Sequence, residues 1–392
     1  MPTTNCHPTA KGRKHGTHWP GLPHPSPFDH SHPISNELQL LSHSLYIMMM
    51  RDSEVKIMWV VVAVAAVFLV CMSSINKVEA QPQVPCYFIF GDSLVDNGNN
   101  NRMASLARAN YLPYGIDFPS GPTGRFCNGK TTTDVIAELL GFDDYIPPYA
   151  STRGRAILGG VNFASAAAGI RDETGRTNKY EWTDEDSAAD YLSRCIYTVG
   201  MGSNDYLNNY FMTAYYTTSR RYTPQQYADV LAQQYSQQPR TLYNYGARKV
   251  AVIGVGQVGC SPNELAQNSA NGVQCVQKIN DANDMFNVRL RSLVDNFNRN
   301  LAGAKFIYIN AAGVFNDILT NPSRYGCCGV GKNNGEITCL PYQTPCQNRD
   351  EYVFWDAFHP SEAANLIIGR RAYAAESPSD AYPYDIRQLA QV

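Results

Sequence analysis

Short apolar runs, rich in β-branched and aromatic residues, alternate with longer amphipathic segments from residue 84 onward. Unbroken runs of this length are typical of parallel strands that are covered on both faces. The alternation therefore predicts an α/β fold, with its functional groups at the carboxyl ends of the strands. The five predicted strands are Val84–Phe90, Val161–Phe163, Ile196–Val199, Val250–Val255 and Phe306–Ile309.

Two of the intervening segments carry clear helix signals. Thr223 is a good N-cap and Pro224 suits the first helical position, so a helix is predicted to run from there to about Tyr243. Apolar residues at close to helical spacing predict a second helix over Ile279–Phe297. No internal repeat interrupts the pattern, and we expect one α/β domain over residues 81–392.

The composition excludes two classes of partner. The chain of 392 residues is 44% apolar, which suffices for a large core, and its formal net charge is -2. No basic stripe is present. We therefore expect neither a nucleic acid nor a charged membrane surface to bind this protein.

The first 50 residues differ from the rest of the chain in composition. Residues 1–50 are rich in His, Pro and Ser and show no helical or strand period, so we expect an unstructured N-terminal extension. We also expect translation to begin at Met48, Met49 or Met50. Seven of the eight histidines lie in this stretch, and their irregular spacing does not match a metal site. We expect neither a metal nor another cofactor.

A targeting segment follows the extension. Arg51 and Lys56 precede an apolar run, Ile57–Met72, and a polar stretch then ends at Ala80. This pattern predicts a signal peptide over residues 51–80, cut after Ala80, and hence a secreted, extracellular protein. An uncleaved membrane anchor and a buried helix are the alternatives. Because the run is shorter than the roughly 20 residues of a membrane span, we expect no stable span after cleavage.

Nine cysteines follow residue 80, and none of them forms a C-x-x-C pair. In a secreted protein this pattern favours local disulfides over a zinc or redox site. Cys260 with Cys275 would close one loop. Four later cysteines could form two further bridges: Cys327, Cys328, Cys339 and Cys346. Spacing leaves their connectivity open, and the odd total leaves at least one thiol free.

A serine stands at the end of the first predicted strand, in the tetrapeptide from Gly91 to Leu94. Backbone N–H groups at such a strand end can stabilise an oxyanion that develops beside Ser93. The alternative is an ordinary turn in which Ser93 caps a helix. The tetrapeptide alone favours the turn.

A base for this serine is available near the C-terminus, where Asp356 and His359 are separated by three positions. A neutral imidazole can accept the proton of a serine hydroxyl when an acid orients it. A lone histidine is more often structural than catalytic. His359, however, is the sole histidine after residue 80, so any Ser–His mechanism in the mature chain requires it.

Two further segments follow predicted strands. Asn204 lies in a Gly-Ser-Asn-Asp stretch, and its amide could donate to an oxyanion. Gly169 ends the segment that begins at Gly160 and offers an N–H with no side chain in the way. Each segment alone is better explained as a turn.

The four segments together resemble the plant GDSL esterase/lipase family, a GDSL subclass of the SGNH hydrolases. The matching motifs are FIFGDSLVDNGNNN, GVNFASAAAGI, GMGSNDYLNNY and DAFHP, and the resemblance runs from about Tyr87 to the C-terminus. It implies Ser93 as nucleophile, His359 as base and Asp356 as the residue that orients it. It also implies an oxyanion hole formed by the Ser93 backbone, Gly169 and Asn204. The fold it implies is a three-layer α/β/α sandwich around a five-stranded parallel sheet.

One departure from the family pattern lies between Arg176 and Glu181, where members usually have about a helix's worth of additional residues. A missing helix would uncover apolar sheet surface, at a cost of about 25 cal/mol per Å². We therefore expect exposed apolar surface beside this segment.

These observations predict a secreted hydrolase that cleaves carboxylic esters, of acyl or lipid type, through an acyl-serine intermediate. A small-molecule ester would be its partner. Two alternatives remain open. One is an acyltransferase, which shares the acyl-serine intermediate. The other is a non-catalytic extracellular protein that keeps the fold.

Overall fold

The computed structural model divides the chain into two compact units, Met1–Glu79 and Ala80–Val392. The residues that it describes are 53–73, 81–176, 189–319 and 323–392. In the first unit, helix α1 (Ser53–Ser73) contains the apolar run on which the predicted signal peptide rests. The predicted extension over residues 1–50 and the predicted cut after Ala80 lie outside the described residues. None of the described helices is long and apolar enough to cross a membrane.

The second unit is built on two sheets. Its strands are β1 (Tyr87–Gly91), β2 (Ile196–Gly200), β3 (Lys249–Ile253), β4 (Lys305–Ile309), β5 (Ser323–Gly326), β6 (Tyr352–Phe354) and β7 (Ala381–Tyr382). The main sheet has the order β1-β2-β3-β4-β7. Strands β1 to β4 are parallel, and β7 is antiparallel to β4. Strands β5 and β6 form a separate parallel pair.

One predicted strand is wrong. Val161–Phe163 meets β1 only through a single bridge, between Ile89 and Asn162. The side chain of Asn162 accepts a hydrogen bond from Ala164 N (2.8 Å), a local bond of the kind that competes with strand pairing. Beyond it, Ser165 N donates to Gly91 O (3.0 Å), but no further bridge with β1 forms among the described residues. The fifth strand of the sheet is instead the two-residue β7. The other four predicted strands are confirmed, with small differences at their ends.

The helices of the second unit follow their sequence signals. They are α2 (Thr132–Leu140), α3 (Ala189–Ser193), α4 (Ser203–Asp205), α5 (Thr218–Arg221), α6 (Pro224–Asn244), α7 (Pro262–Asn268), α8 (Gln277–Asn300), α9 (Ala311–Ile318), α10 (Glu362–Tyr373) and α11 (Ile386–Gln391). Both predicted helices, α6 and α8, are confirmed. The Thr223 side chain accepts a hydrogen bond from Gln226 N, and the Gln226 side chain accepts one from Thr223 N. This reciprocal pair caps α6.

The helices cover both faces of the main sheet, because alternate strand residues point to opposite sides. Phe306 and Tyr308 of β4 pack in one core cluster, which contains buried residues of α6 and α8. Ile307 and Ile309 pack in a second cluster, which contains buried residues of α2 and α11. Each large side chain buried in this way stabilises the fold by about 1.5–3 kcal/mol. The predicted three-layer α/β/α sandwich with a five-stranded sheet is confirmed, with the difference that the sheet is mostly rather than wholly parallel, because β7 is antiparallel to β4.

Four disulfides join cysteines of the second unit. Cys260 pairs with Cys275, as predicted. The four later cysteines form the two predicted bridges, in the pairing Cys327–Cys346 and Cys328–Cys339. A fourth bridge, Cys86–Cys195, joins residues 109 positions apart at the starts of β1 and β2. Among the cysteines in the described part of this unit, Cys127 keeps a free, buried thiol.

The strands beside the predicted short segment are covered. Residues 177–188, in which most of the shortening would fall, lie outside the described residues. The neighbouring strand β2 is nevertheless buried over Ile196–Val199, and β1 is buried except at Phe90. The expected exposure of apolar sheet surface is therefore not found on either strand.

Candidate active site

Ser93 lies just beyond the carboxyl end of β1. Gly91, the last residue of the strand, has no room for a side chain: an added Cβ would lie 2.5 Å from Val95 Cγ2 and 3.2 Å from Gly200 O. The Asp92 side chain then closes a tight turn by accepting a hydrogen bond from Leu94 N (3.0 Å). This turn leaves Ser93 partly exposed while both of its preceding neighbours are buried.

The structure brings His359 and Asp356 to this serine. His359 Nε2 lies 2.8 Å from Ser93 Oγ. On the other side of the ring, Nδ1 lies 2.8 Å and 2.9 Å from the two carboxylate oxygens of Asp356. An acidic partner at Nδ1 holds the proton there and leaves Nε2 free to accept the serine proton. The sequence-predicted trio thus forms a continuous chain of contacts.

The loop between β6 and α10 holds this histidine in place. Asp356 Oδ1 accepts hydrogen bonds from the backbone N–H groups of Phe358 (2.8 Å) and His359 (2.9 Å). The backbone oxygen of His359 in turn accepts one from Trp355 N (2.7 Å). These bonds close a tight loop, so the three-residue spacing fixes the ring beside the carboxylate.

Asp356 is fully buried yet remains ionised. Burial by itself would raise the pKa of this carboxyl, but the charge and hydrogen bond of His359 and hydrogen bonds from Tyr114 and the Phe358 N–H outweigh it. The pKa of Asp356 therefore lies below its ordinary value. An ionised carboxylate can orient the imidazole and stabilise the imidazolium that forms during catalysis.

Asn204 lies one residue into α4, directly after β2, and faces the same cavity as Ser93. Its amide is held from two sides. Asn204 Nδ2 donates to Ala168 O (2.9 Å), and its Oδ1 accepts from Asn208 Nδ2 (2.6 Å). The second N–H of Nδ2 has only a long contact to Asp92 Oδ2, at 3.4 Å. This N–H is therefore available to an oxyanion beside Ser93.

The structure places Gly169 away from the cavity lining. Gly169 is buried, and an added Cβ would lie 2.4 Å from Thr174 Cγ2 and 2.8 Å from Asp205 Oδ2. The cavity wall is formed instead by Ala166 and Ala167 of the same segment. Alanine rarely adopts the positive φ of 67° found at Ala167, so the Ala-Ala-Ala run carries no signal for this turn.

Two backbone N–H groups of residues that line the cavity have no acceptor among the described residues. Ala166 N is engaged by Asp96 and Asn100, at 3.1 Å each. Among the hydrogen bonds of the described residues, none uses the N–H of Ser93 or of Ala167. Unpaired N–H groups at a cavity wall are suited to an oxyanion. Ala167 is therefore a candidate oxyanion donor in this loop that the sequence did not predict.

A cavity of about 300 Å³ opens around Ser93, Asn204 and His359. Its lining is mainly apolar and includes Phe90, Leu94, Ile253, Val255, Val258 and Phe315. An apolar cavity with a few convergent polar groups is typical of a small-molecule site. Within the described residues, no cluster of His, Cys, Asp or Glu side chains could hold a metal ion.

The carboxyl of Asp92, which also lines this cavity, has a raised pKa. Burial raises the pKa of Asp92 to about 6, although the hydrogen bond from Leu94 N and the charge of His359 oppose the rise. Because Asp92 contacts Asn204, its ionisation changes the charge next to a candidate oxyanion donor.

This chain is similar to known proteins over most of its length. Residues 87–372 match the family described as GDSL-like lipase/acylhydrolase. GDSL esterase/lipase At4g18970 of Arabidopsis thaliana is 61% identical over 346 residues, which cover 81% of this chain and 96% of that protein. GDSL esterase/lipase At5g45670 of the same plant is 60% identical over 351 residues, which cover 83% and 97%. Because 81% of 392 residues is about 318, the first alignment includes about 28 positions that this chain lacks.

Two solved structures are more distant matches to this chain. A phospholipase A1 from Streptomyces albidoflavus NA297 is 14% identical, with a TM-score of 0.36, and covers 72% of this chain and 94% of its own. An extracellular lipase from Streptomyces rimosus is also 14% identical, with a TM-score of 0.33, and covers 71% and 96%.

The family match extends over most of the chain, and the two plant relatives share about 60% of its residues over almost their whole length. This protein belongs to the GDSL-like lipase/acylhydrolase family.

Proposed function

We propose that this protein is a secreted serine hydrolase that cleaves carboxylic esters, of acyl or lipid type, through an acyl-serine intermediate. The observation that carries the proposal is the continuous contact from Ser93 Oγ through the His359 ring to the Asp356 carboxylate, at 2.8 Å on each side. Membership of a family of lipases and acylhydrolases supports the reaction class.

In the first half of this reaction, His359 Nε2 takes the hydroxyl proton while Ser93 Oγ attacks the ester carbonyl carbon. The carbonyl oxygen becomes an oxyanion, which the N–H of Ser93 and the amide of Asn204 stabilise. For the third donor the geometry favours the N–H of Ala167 over that of Gly169. The protonated His359 then gives its proton to the leaving alcohol, and the acyl group remains on Ser93.

In the second half, water replaces the alcohol. His359 takes a proton from the water, the hydroxide attacks the acyl carbon, and Ser93 leaves with the proton returned by His359. The products are a carboxylic acid and the free enzyme. The mainly apolar lining of the cavity supports an apolar acyl chain or alcohol as the bound part of the ester.

An organophosphate serine probe tests the proposal directly. We expect one probe per folded chain, attached to Ser93, because His359 activates only this hydroxyl. Mass spectrometry of the labelled peptide locates the adduct, and Ser93→Ala is the matched control that should stay unlabelled. A folded protein that takes up no probe would instead support the non-catalytic alternative.

Product analysis separates hydrolysis from acyl transfer. Unlabelled wild-type protein is given an ester together with an added alcohol, and the free acid and the new ester are quantified. We expect free acid to predominate. A new ester as the main product would assign the protein to the acyltransferases, which share the acyl-serine intermediate.

Secretion is the second part of the proposal. The four disulfides support an oxidising compartment, and the segment over residues 51–80 has the pattern of a signal peptide. We expect the protein recovered outside the cell to begin at Gln81, after cleavage behind Ala80. N-terminal sequencing measures this. A first residue upstream of Ile57 would favour an anchored protein.

A further inference from the structure

The carboxylate of Asp356 accepts a hydrogen bond from a residue that is distant in the sequence. The Tyr114 hydroxyl donates a hydrogen bond of 2.5 Å to Asp356 Oδ2, across 242 positions of sequence. Tyr114 is 1% exposed, and its ring packs edge-on against Tyr111 and Phe126. A buried ring held by two aromatic neighbours has little freedom to withdraw its hydroxyl.

The two carboxylate oxygens of Asp356 accept hydrogen bonds from different parts of the chain. Oδ1 accepts from the backbone N–H groups of Phe358 and His359, which belong to the same loop. Oδ2 accepts from Tyr114, and the His359 ring nitrogen contacts both oxygens. Among the described residues, Tyr114 is the donor to this carboxylate that comes from outside the loop. It therefore fixes the plane of the carboxylate relative to the rest of the domain.

The titratable groups that interact with Asp356 come from its own loop and from the segment before α2. His359 faces it from its own loop, and Tyr111 and Tyr114 face it from the segment before α2. Asp92 interacts with His359 from the far side. Burial and the charge of Asp356 raise the pKa of Tyr114 well above its ordinary value. Its hydroxyl therefore stays protonated, and remains a donor, throughout the pH range of an assay.

We propose that Tyr114 is a positioning residue for the reaction: through its hydrogen bond to Asp356 it orients the carboxylate against His359 and sets the pH at which the Asp356–His359 pair takes up its proton. This inference rests on the proposed function of Ser93, His359 and Asp356. The hydrogen bond from the Tyr114 hydroxyl stabilises the negative charge of the Asp356 carboxylate. Without it, the pair holds its proton more tightly, because the carboxylate attracts the imidazolium more strongly.

Tyr114→Phe removes the hydroxyl and keeps the ring that Tyr111 and Phe126 contact. With a soluble short-chain ester, we expect the acidic limb of kcat/KM against pH to move upward by about half a unit to one unit, as expected from the loss of one hydrogen bond to an ionised group. Well above the limb, kcat/KM should fall by about tenfold or less. A merely structural role would lower activity without moving the limb.

Tyr111→Phe is the matched control. Tyr111 neighbours the same carboxylate, but its hydroxyl donates to Cys339 O (2.9 Å). We expect the acidic limb of kcat/KM for Tyr111→Phe to lie at the same pH as that of the wild type. An unmoved limb in Tyr114→Phe, or equal movement in both variants, would overturn the proposal, with circular dichroism showing that both proteins are folded.

A measurement that does not depend on ester hydrolysis tests the role of Tyr114 separately from the proposed function. In full-length Ser93→Ala protein, NMR follows the His359 imidazole through its titration, and the loss of the signal in His359→Gln assigns it. Adding Tyr114→Phe should move this titration upward, as it moves the limb. If the titration moves but the wild-type protein hydrolyses no ester, the Tyr114 contact is supported and the proposed function is refuted. No movement would refute the Tyr114 proposal alone.

Discussion

Replacing Ser93 with alanine is expected to abolish ester hydrolysis while the fold stays essentially unchanged. Removing the nucleophile of a Ser-His-Asp hydrolase lowers kcat by about six orders of magnitude, because the acyl-serine intermediate can no longer form. The lost hydroxyl takes part in one described hydrogen bond, with His359, so the free energy of unfolding should change by about 1 kcal/mol or less.

Hydrolysis of a short p-nitrophenyl ester and thermal unfolding followed by circular dichroism measure the two effects. Ser292→Ala is a matched control, since Ser292 is an exposed serine of α8 whose hydroxyl donates to Val288 O within the same helix. It should keep wild-type turnover. Substantial turnover by a folded Ser93→Ala protein would refute Ser93 as the nucleophile.

Replacing His359 with glutamine is expected to lower kcat by a similar factor at every pH, because no other imidazole follows residue 80. Glutamine can still contact Ser93 Oγ but cannot take its proton. In the wild type, activity should rise with pH as the imidazole loses its proton and becomes able to act as a base. Because the pKa of Asp356 is held below its ordinary value, the carboxylate is already ionised over this range.

The measurement is the pH profile of kcat/KM for the wild type, His359→Gln and Asp92→Asn. Asp92 is included because burial raises its pKa to about 6, so this carboxyl also changes its charge within the pH range of the profile. We expect Asp92→Asn to alter the shape of the limb and His359→Gln to remove nearly all activity. Near-normal activity with an unchanged limb in His359→Gln would show that another group is the base.

Local patterns in the sequence were sufficient for several parts of this protein. The apolar runs predicted four of the five sheet strands, and Thr223 with Pro224 predicted the start of α6, because strand composition and helix caps act within a few residues. The Cys260–Cys275 bridge closes a loop across 15 positions, and Asp356 contacts His359 across three. Interactions at such short separation depend little on the rest of the fold.

Contacts between distant segments were decided by the tertiary structure. The Cys86–Cys195 bridge and the Tyr114–Asp356 hydrogen bond join residues 109 and 242 positions apart. The sheet takes β7 as its fifth strand, although a two-residue strand has no readable period.

The sequence by itself determined the α/β class, and it predicted Ser93, His359 and Asp356 as nucleophile, base and orienting carboxylate, because residue type and short-range periodicity carry that information. Only the tertiary structure decided that Ala167 rather than Gly169 lines the cavity, and which oxygen of Asp356 a distant tyrosine reaches. Backbone torsions and contacts across the fold result from packing many segments together, and no single segment encodes them.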